Sequence, residues 1–211
     1  TAGETLTTVA VEHGVTIIAT GGKQYETDEF LYGQHPSVLS HKEMDEAMTA
    51  GDPRIAEADS VVFVQCVGSR NDEFPSCSRI CCTHSIKSAI AMKKQKPEMN
   101  VYILYRDIRT YGFREDLYRQ AREMGVIFIR FDKEAAPQVA GGDGDRISVT
   151  VKDHVLGRPI EINPDLVILA TAVRPNENKD LFELFKVPIN GEGFLVEAHA
   201  KLRPVDFGSE G

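Results

Sequence analysis

The chain has 211 residues, of which 42% are hydrophobic, and a formal net charge of −8. This length suits one large or two small domains with a sizeable core. The negative charge argues against a nucleic-acid partner, which would need a basic surface, and against contact with an anionic membrane. No apolar run approaches the ~20 residues of a membrane-spanning helix, and the first residues show no secretory signal.

The chain starts at Thr1 and stops at Gly211 without an obvious finished element. We therefore expect it to be a piece of a longer protein or a processed chain.

All four cysteines lie in one short segment, as Cys66, Cys77, Cys81 and Cys82. Clustered cysteines in a chain without an export signal indicate a reducing compartment and metal or redox chemistry rather than a disulfide scaffold. We expect a cytoplasmic protein on this ground.

The N-terminal region predicts a strand over 6–11 and a short buried strand over 15–19 that runs into Thr20, Gly21 and Gly22. A β-branched strand closing on Ala-Thr-Gly is typical of dinucleotide-binding units in two-domain flavoproteins, because glycine permits close approach of a ligand. An ordinary glycine turn explains the pattern equally well. Residues 23–58 are polar and turn-rich, with one predicted helix over 42–49, and suggest a connector.

From Ser60 the pattern alternates between strand and helix. Strands are predicted over 61–64, 101–105 and 126–130, with helices between them over 78–96 and 113–124. Pro97 stops the first helix, and Gly125 suits a left-handed cap on the second. Parallel strands joined by helices predict a doubly wound, right-handed sheet.

Beyond this unit, the pattern predicts a hairpin over 147–151 and 159–162 and a buried strand over 166–170, which ends in an Ala-Thr closure at Thr171. A short helix over 176–185 and a strand over 194–197 follow. The fold class expected is α/β, with a Rossmann-like three-layer parallel sheet flanked by remnants of an FAD-binding domain. The expected domains are 1–58, an inserted domain over 59–173 that resembles a nicotinamide domain, and a return segment over 174–211.

The turn after the first strand of the insert lacks the expected phosphate-binding sequence. A nicotinamide domain needs a glycine-rich turn there, so that pyrophosphate reaches backbone N–H groups at a helix N-terminus. The chain instead reads Cys-Val-Gly-Ser-Arg over 66–70. Helix N-termini favour thiolates, and Arg70 and Arg79 add positive charge nearby.

The residues alone leave the chemistry of the cysteines open. Four thiolates suit an iron–sulfur cluster or zinc, but zinc sites usually use paired C-x-x-C knuckles, and the spacing C-x10-C-x3-C-C matches neither them nor common ferredoxin runs. A cysteine redox pair and simple buried hydrophobic side chains are the alternatives. Adjacent Cys81 and Cys82 cannot readily form a disulfide with each other.

The sequence resembles the heterodisulfide reductase A-subunit family. The segments that carry the resemblance are CVGSR, CSRICC, IKSAI, ILYRDIRTYG and YRQAREMGVIFIR. The resemblance implies an oxidoreductase with a thioredoxin-reductase-like core that binds FAD, and a [4Fe-4S] cluster ligated by the four cysteines. It implies electron transfer between FAD and iron–sulfur centres, toward disulfide reduction or electron bifurcation. The implied partners are other subunits of such complexes and electron-donor proteins, and a second copy of the chain is also considered.

The chain departs from the family pattern in three places. It has no G-x-G-x-x-G flavin strand, no ferredoxin-type cysteine runs and no final flavin-contacting strand. We therefore expect the complete protein to bind FAD, and little activity from this chain alone.

Further residues are predicted to serve the site. Lys87, five residues after Cys82, is the predicted catalytic residue that tunes the flavin, with a solvated helix lysine as the alternative. His84 is a possible cluster neighbour or a helix-surface histidine. Arg106 and Asp107 end a strand where a nicotinamide domain contacts ribose. The residues predicted to line the flavin or the cluster are Thr20, Gly21, Gly22, Arg106, Arg109, Thr110, Tyr111, Gly112, Thr171, His199 and Lys201.

Overall fold

The computed structural model describes residues 9–142 and 146–208. The chain divides into two compact units, one formed by Lys23–Arg174 and the other by residues from the two flanks, 9–22 and 175–208. No helix among these described residues has the length and apolarity to cross a membrane.

Ten strands and five α-helices make up the regular structure of the described residues. The strands are β1 (Gly22–Gln24), β2 (Val38–Ser40), β3 (Ser60–Val67), β4 (Asn100–Tyr105), β5 (Ile127–Arg130), β6 (Gln138–Gly141), β7 (Ile147–Lys152), β8 (Pro159–Ile162), β9 (Leu166–Thr171) and β10 (Val173–Pro175). The helices are α1 (His41–Ala50), α2 (Pro53–Glu57), α3 (Cys81–Gln95), α4 (Glu115–Glu123) and α5 (Lys179–Leu184).

The larger unit is built on a five-stranded parallel sheet in the order β2-β9-β3-β4-β5. Strand β3 is central and apolar on both faces, as parallel strands usually are. Its residues Val61 and Phe63 pack with α1, α3 and α4 on one side. Val62 and Val64 pack on the other side against a three-stranded antiparallel sheet in the order β6-β7-β8.

These three layers confirm the α/β class with a parallel sheet, but the helices are arranged differently from the predicted double winding. The predicted double winding placed helices on both faces. Both crossover helices, α3 and α4, instead share one apolar cluster on one face, and the antiparallel sheet covers the other face. The predicted hairpin forms as the antiparallel pair β7 and β8.

The N-terminal boundary of the larger unit differs from the prediction at 58/59. Strand β2 is the edge strand of the parallel sheet, with Val38 paired to Val167, and Ser40 caps α1 through a capping box. Residues 23–58 therefore belong to this unit rather than to a connector. The sequence hides this strand because only three of its residues are in the sheet and a polar, turn-rich stretch precedes it.

Three strands are predicted in the flanks, and none of their described residues lies in a strand. Residues 15–19 contain no strand, and Val15 and Ile17 are 79% and 86% exposed. Of the strand predicted over 6–11, residues 6–8 lie outside the described part, and 9–11 are not a strand. Residues 194–197 contribute one isolated bridge, between Ile189 and Leu195. A strand persists only where a neighbour satisfies its backbone groups, and no described strand pairs with residues 9–19.

Candidate metal centre

The four cysteines lie at the carboxyl end of the parallel sheet, where loops of such folds carry ligand sites. Cys66 is the penultimate residue of β3, at a β-bulge where the register with β9 shifts between Val64 and Val67. Cys81 and Cys82 are the first two residues of α3. Cys77 lies in the loop that joins these elements. The prediction that two cysteines occupy the first turn of the helix is confirmed.

Three of the thiols contact polar groups of the backbone. Cys81 Sγ donates to the carbonyl of Thr171 at 3.7 Å, and Cys82 Sγ donates to the carbonyl of Asp107 at 3.6 Å. Cys77 Sγ accepts from a backbone N–H at 3.3 Å. All four cysteines are free thiols.

Burial raises the pKa of three of these thiols. It raises the pKa of Cys81 to about 12, with further contributions from the charges of Cys82, Cys66 and Cys77. The pKa values of Cys66 and Cys82 are also raised, chiefly by burial. Each of these three pKa values includes repulsion from other members of the group, so the four side chains share one electrostatic neighbourhood.

Four cysteines are chemically suited to bind a metal ion or cluster as thiolates. In this structure, however, their sulfur atoms do not converge on one point. Within residues 9–142 and 146–208, no group of three or more His, Cys, Asp or Glu side chains is placed to hold a metal ion. Two thiols donate to carbonyls, which a thiolate bound to metal cannot do, so metal binding would release protons and turn these side chains.

The backbone of the cysteine segment is held in an unusual conformation. Cys66, Arg70 and Arg79 all have left-handed φ angles, of 66°, 57° and 65°. Such φ angles cost about 1–2 kcal/mol each for non-glycine residues and persist only where the surroundings fix them. Their concentration in this loop is typical of a functional site.

A network of arginines surrounds the thiols. Arg70 Nη1 lies 4.0 Å from Cys66 Sγ, and Arg70 Nη2 donates to Asp107 Oδ2 at 2.5 Å. Arg106 Nη1 donates to the carbonyl of Arg70 at 2.8 Å. Arg109 and Arg130 approach the Asp107 carboxylate at 4.0 and 3.9 Å. These charges favour an anionic centre.

Gly68 occupies the turn where a nicotinamide domain would admit a pyrophosphate, and here an aromatic ring lies against it. Gly68 has φ +69°, and a Cβ placed on it would lie 2.0 Å from Tyr25 Cδ1. Tyr25 is anchored by its N–H, which donates to the carbonyl of Ala172 at 2.8 Å. The ring therefore fills the space through which a dinucleotide would approach this glycine.

Arg174 of β10 fixes the same turn from the far side. Its guanidinium lies over the rings of Tyr25 and Phe74, at 4.8 and 4.0 Å from their centroids. Arg174 Nη2 donates to the carbonyl of Gly68 at 2.9 Å, and Ser78 Oγ accepts from the N–H of Val173. These contacts tie the loop between Cys66 and α3 to the end of the sheet.

A buried polar group lies between β3 and the helices. Gln65, next to Cys66, donates to Ser85 Oγ at 2.6 Å, and Ser85 Oγ is 2.8 Å from His41 Nε2. Because Ser85 accepts from Gln65, its hydroxyl proton is free to donate to a neutral His41. Burial, together with the charge of His84, lowers the pKa of His41 to about 3.

This shift predicts a pH-dependent stability. The pKa of His41 is near 6.5 when unfolded and lower when folded, so the unfolded chain binds more protons between those values. With respect to this group, the free energy of unfolding should level off as the pH rises past 6.5 and should fall as the pH drops below it, by up to about 1.4 kcal/mol per pH unit. Urea unfolding of the reduced, metal-free chain between about pH 5 and 7.5 measures this slope.

His41→Gln should flatten the slope in that window, whatever it does to stability at the upper end. His13→Gln, at an exposed histidine, is the matched control and should keep it. An unchanged slope in the His41 variant would contradict the assignment.

The predicted site residues lie in several parts of the structure. The structure brings Arg106, Asp107 and Thr171 to the cysteines, through the contacts described above. Thr110 and Tyr111 lie in the segment that follows β4, and Tyr111 is 60% exposed.

Lys87 is exposed on α3 and, at ~100° per residue, lies roughly 140° around the helix from Cys82. His84 is partly exposed on the helix, and its Nε2 lies 2.9 Å from Oδ2 of Asp45 on α1. A role of Lys87 beside a flavin stays a prediction.

The remaining predicted flavin residues belong to the smaller unit. Thr20, Gly21 and Gly22 line a cavity of about 380 Å³ with Phe182 and other residues of that unit. His199 is exposed, and its Nδ1 accepts backbone N–H groups of two following residues, one of them that of Lys201. Their contact with a flavin stays a prediction.

The sequence alone did not point to Tyr25, Phe74 and Arg174, which frame the turn, or to Gln65 and Ser85 of the buried polar group. Each is brought in by tertiary packing, and an isolated aromatic or arginine carries no local pattern. The absence of G-x-G-x-x-G was the one local signal that the turn is filled differently.

Comparison with known proteins finds similar heterodisulfide reductase A-subunits. No protein-family model matches the chain. The A-subunit of the H2:CoB-CoM heterodisulfide,ferredoxin reductase of Methanothermobacter thermautotrophicus is 33% identical over 220 residues, covering 96% of this chain and 33% of the relative. The iron-sulfur A-subunit of the CoB–CoM heterodisulfide reductase of Methanocaldococcus jannaschii is 34% identical, covering 94% of this chain and 32% of the relative.

Over 94–96% of its length, the chain is similar to the A-subunits of these heterodisulfide reductases. It spans about one third of the length of the curated relatives that it matches. Solved structures support the fold alone. Thioredoxin reductase of T. acidophilum matches with a TM-score of 0.54 at 17% identity, over 92% of this chain and 58% of that chain. The HOCl-induced flavoprotein disulfide reductase of Escherichia coli matches with a TM-score of 0.50 at 13% identity, over 90% of this chain and 38% of that chain.

Proposed function

We propose that this chain is the part of a heterodisulfide reductase A-subunit that holds a four-cysteine [4Fe-4S] cluster and exchanges electrons with FAD of the complete protein. The enzyme would be a cytoplasmic oxidoreductase, working toward disulfide reduction or electron bifurcation. Its partners would be the other subunits of such a complex and electron-donor proteins, with homodimerisation open to test.

The observation that carries the proposal is the replacement of a nucleotide turn by a thiol site. Four free thiols share one neighbourhood at the carboxyl end of the sheet, while the Tyr25 ring covers Gly68. The name of the Methanocaldococcus jannaschii relative, an iron-sulfur protein, supports iron rather than zinc. FAD in the whole protein is proposed from the family resemblance, and the fold that the chain shares with a flavoprotein disulfide reductase is consistent with it.

Each residue of the site has a role that follows from its position. Cys66, Cys77, Cys81 and Cys82 would hold the cluster, which supplies one-electron transfer when bound. The start of α3 presents backbone N–H groups and a positive dipole end to the anionic centre. The half-buried Arg70 adds positive charge beside Cys66, and the stacked rings and Arg174 hold the loop between the ligands in place.

Metal and sulfide analysis tests the proposal. We expect the chain, purified anaerobically from iron-supplied cells, to be brown and to contain about four iron and four acid-labile sulfide, as a [4Fe-4S] centre requires. One zinc per chain without sulfide would contradict the proposal and indicate a structural docking module. Saturable binding of NADPH to the chain, lost on deletion of the turn, would indicate a pyridine-nucleotide reductase domain instead.

A further inference from the structure

We propose that Arg70 sets the reduction potential of the cysteine-ligated centre, and that Asp107 holds its guanidinium in place. This inference rests on the proposed function, since it concerns the same site. It assigns Arg70 as a positioning and electrostatic residue rather than a ligand.

Arg70 lies between a thiol and a carboxylate. The Arg70 guanidinium reaches both Cys66 Sγ, at 4.0 Å, and Asp107 Oδ2, at 2.5 Å. The main-chain carbonyl of Asp107 accepts from Cys82 Sγ at 3.6 Å. The ion pair therefore places a positive charge against Cys66 at the end of β3, and Asp107, which holds that charge, lies beside the start of α3.

The backbone of Arg70 is fixed from several sides. Its N–H donates to the carbonyl of Ser76 at 3.2 Å, and its own carbonyl accepts from Arg106 at 2.8 Å. Its φ of 57° is unfavourable for a side-chain-bearing residue and is retained nonetheless. The fixed backbone places the Cα of Arg70 beside the thiols, and the contact with Asp107 orients the guanidinium.

The charge of Arg70 is shielded from solvent. The Arg70 side chain is only 15% exposed, whereas that of Arg119 on α4 is 71% exposed. A buried charge acts through a lower effective dielectric and is screened less by salt than an exposed one. Reduction of the centre takes up one electron from the reductant and increases its negative charge. A fixed positive charge beside Cys66 therefore favours the reduced form and raises the potential.

The test is a dye-mediated potentiometric titration of the anaerobically loaded 211-residue chain, followed by electron paramagnetic resonance of the reduced form. Arg70→Gln should shift the midpoint to a more negative potential. Arg70→Lys keeps the charge but loses the fork-shaped contact, and should give a smaller shift in the same direction. Arg119→Gln, the matched surface control, should titrate like the wild-type chain.

The outcomes separate this inference from the proposed function. Wild-type chain without iron and sulfide contradicts both. Loaded wild type and a loaded Arg70→Gln variant with the same midpoint contradict the role of Arg70 alone. If the Arg70→Gln variant does not fold or does not bind the cluster, the Arg70→Lys variant provides the test. Equal midpoint potentials for Arg70→Lys and wild type, at both low and high salt, would overturn the proposal.

Discussion

Gly68→Ala should lower the free energy of unfolding by about 2–5 kcal/mol. The new Cβ would meet the Tyr25 ring at 2.0 Å and sit at a φ of +69°. Left-handed φ costs an alanine about 1–2 kcal/mol, and forcing an aromatic ring out of a packed contact adds about 1–3 kcal/mol. Urea unfolding of the metal-free chain in reducing buffer measures the loss.

Gly157→Ala is the matched control for this prediction. Gly157 has φ +64°, but no atom lies within 4 Å of its added Cβ, so its variant should lose only the conformational contribution. In a Tyr25→Ala background, the Gly68 substitution should cost no more than this control. Equal losses at Gly68 and Gly157 in the wild-type background would show that the ring does not fill the turn.

Replacing Cys81 or Cys82 by serine should remove most of the bound iron. Substituting a residue that only hydrogen-bonds to a metal ligand reduces metal affinity by about 10–100-fold. Loss of a thiolate ligand itself should reduce the affinity further. Iron and sulfide per chain should fall by more than about tenfold in each variant, measured after anaerobic reconstitution. The same loss is expected for Cys66→Ser and Cys77→Ser.

Thr83→Ser on the same helix is the control, because it changes neither charge nor ligand and should keep wild-type iron. Circular dichroism of the metal-free variants checks that α3 remains folded. A cysteine variant that retains full iron and sulfide would exclude that thiol as a ligand.

The elements around the cysteines could be predicted because their signals are local. The alternation of strands and helices from β3 to β5 is indicated by apolar runs in the sequence. Gly125 has the left-handed φ, 82°, that was predicted from its position after α4. Pro97 follows shortly after the last residue of α3. These features depend on residues close together in the chain, so no knowledge of the tertiary structure was needed.

The features that depend on distant pairing could not be read in this way. Strand β2 is recognisable only through its pairing with β9, and the antiparallel layer only through the apolar cluster it shares with Val62 and Val64. The same holds for the site, since Tyr25 and Arg174 come from opposite ends of the larger unit to meet at Gly68. The apolar run over 15–19 predicted a strand that does not form, because an apolar segment becomes a strand only where a neighbouring strand pairs with it.

A crystal structure of the anaerobically reconstituted chain, with anomalous data collected on both sides of the iron edge, tests the central claim most directly. The account predicts one iron cluster bonded to the sulfurs of Cys66, Cys77, Cys81 and Cys82, with the Tyr25 ring still against Gly68. Iron bound elsewhere, a single zinc among the thiols, or a dinucleotide lying over Gly68 with Tyr25 displaced would contradict it.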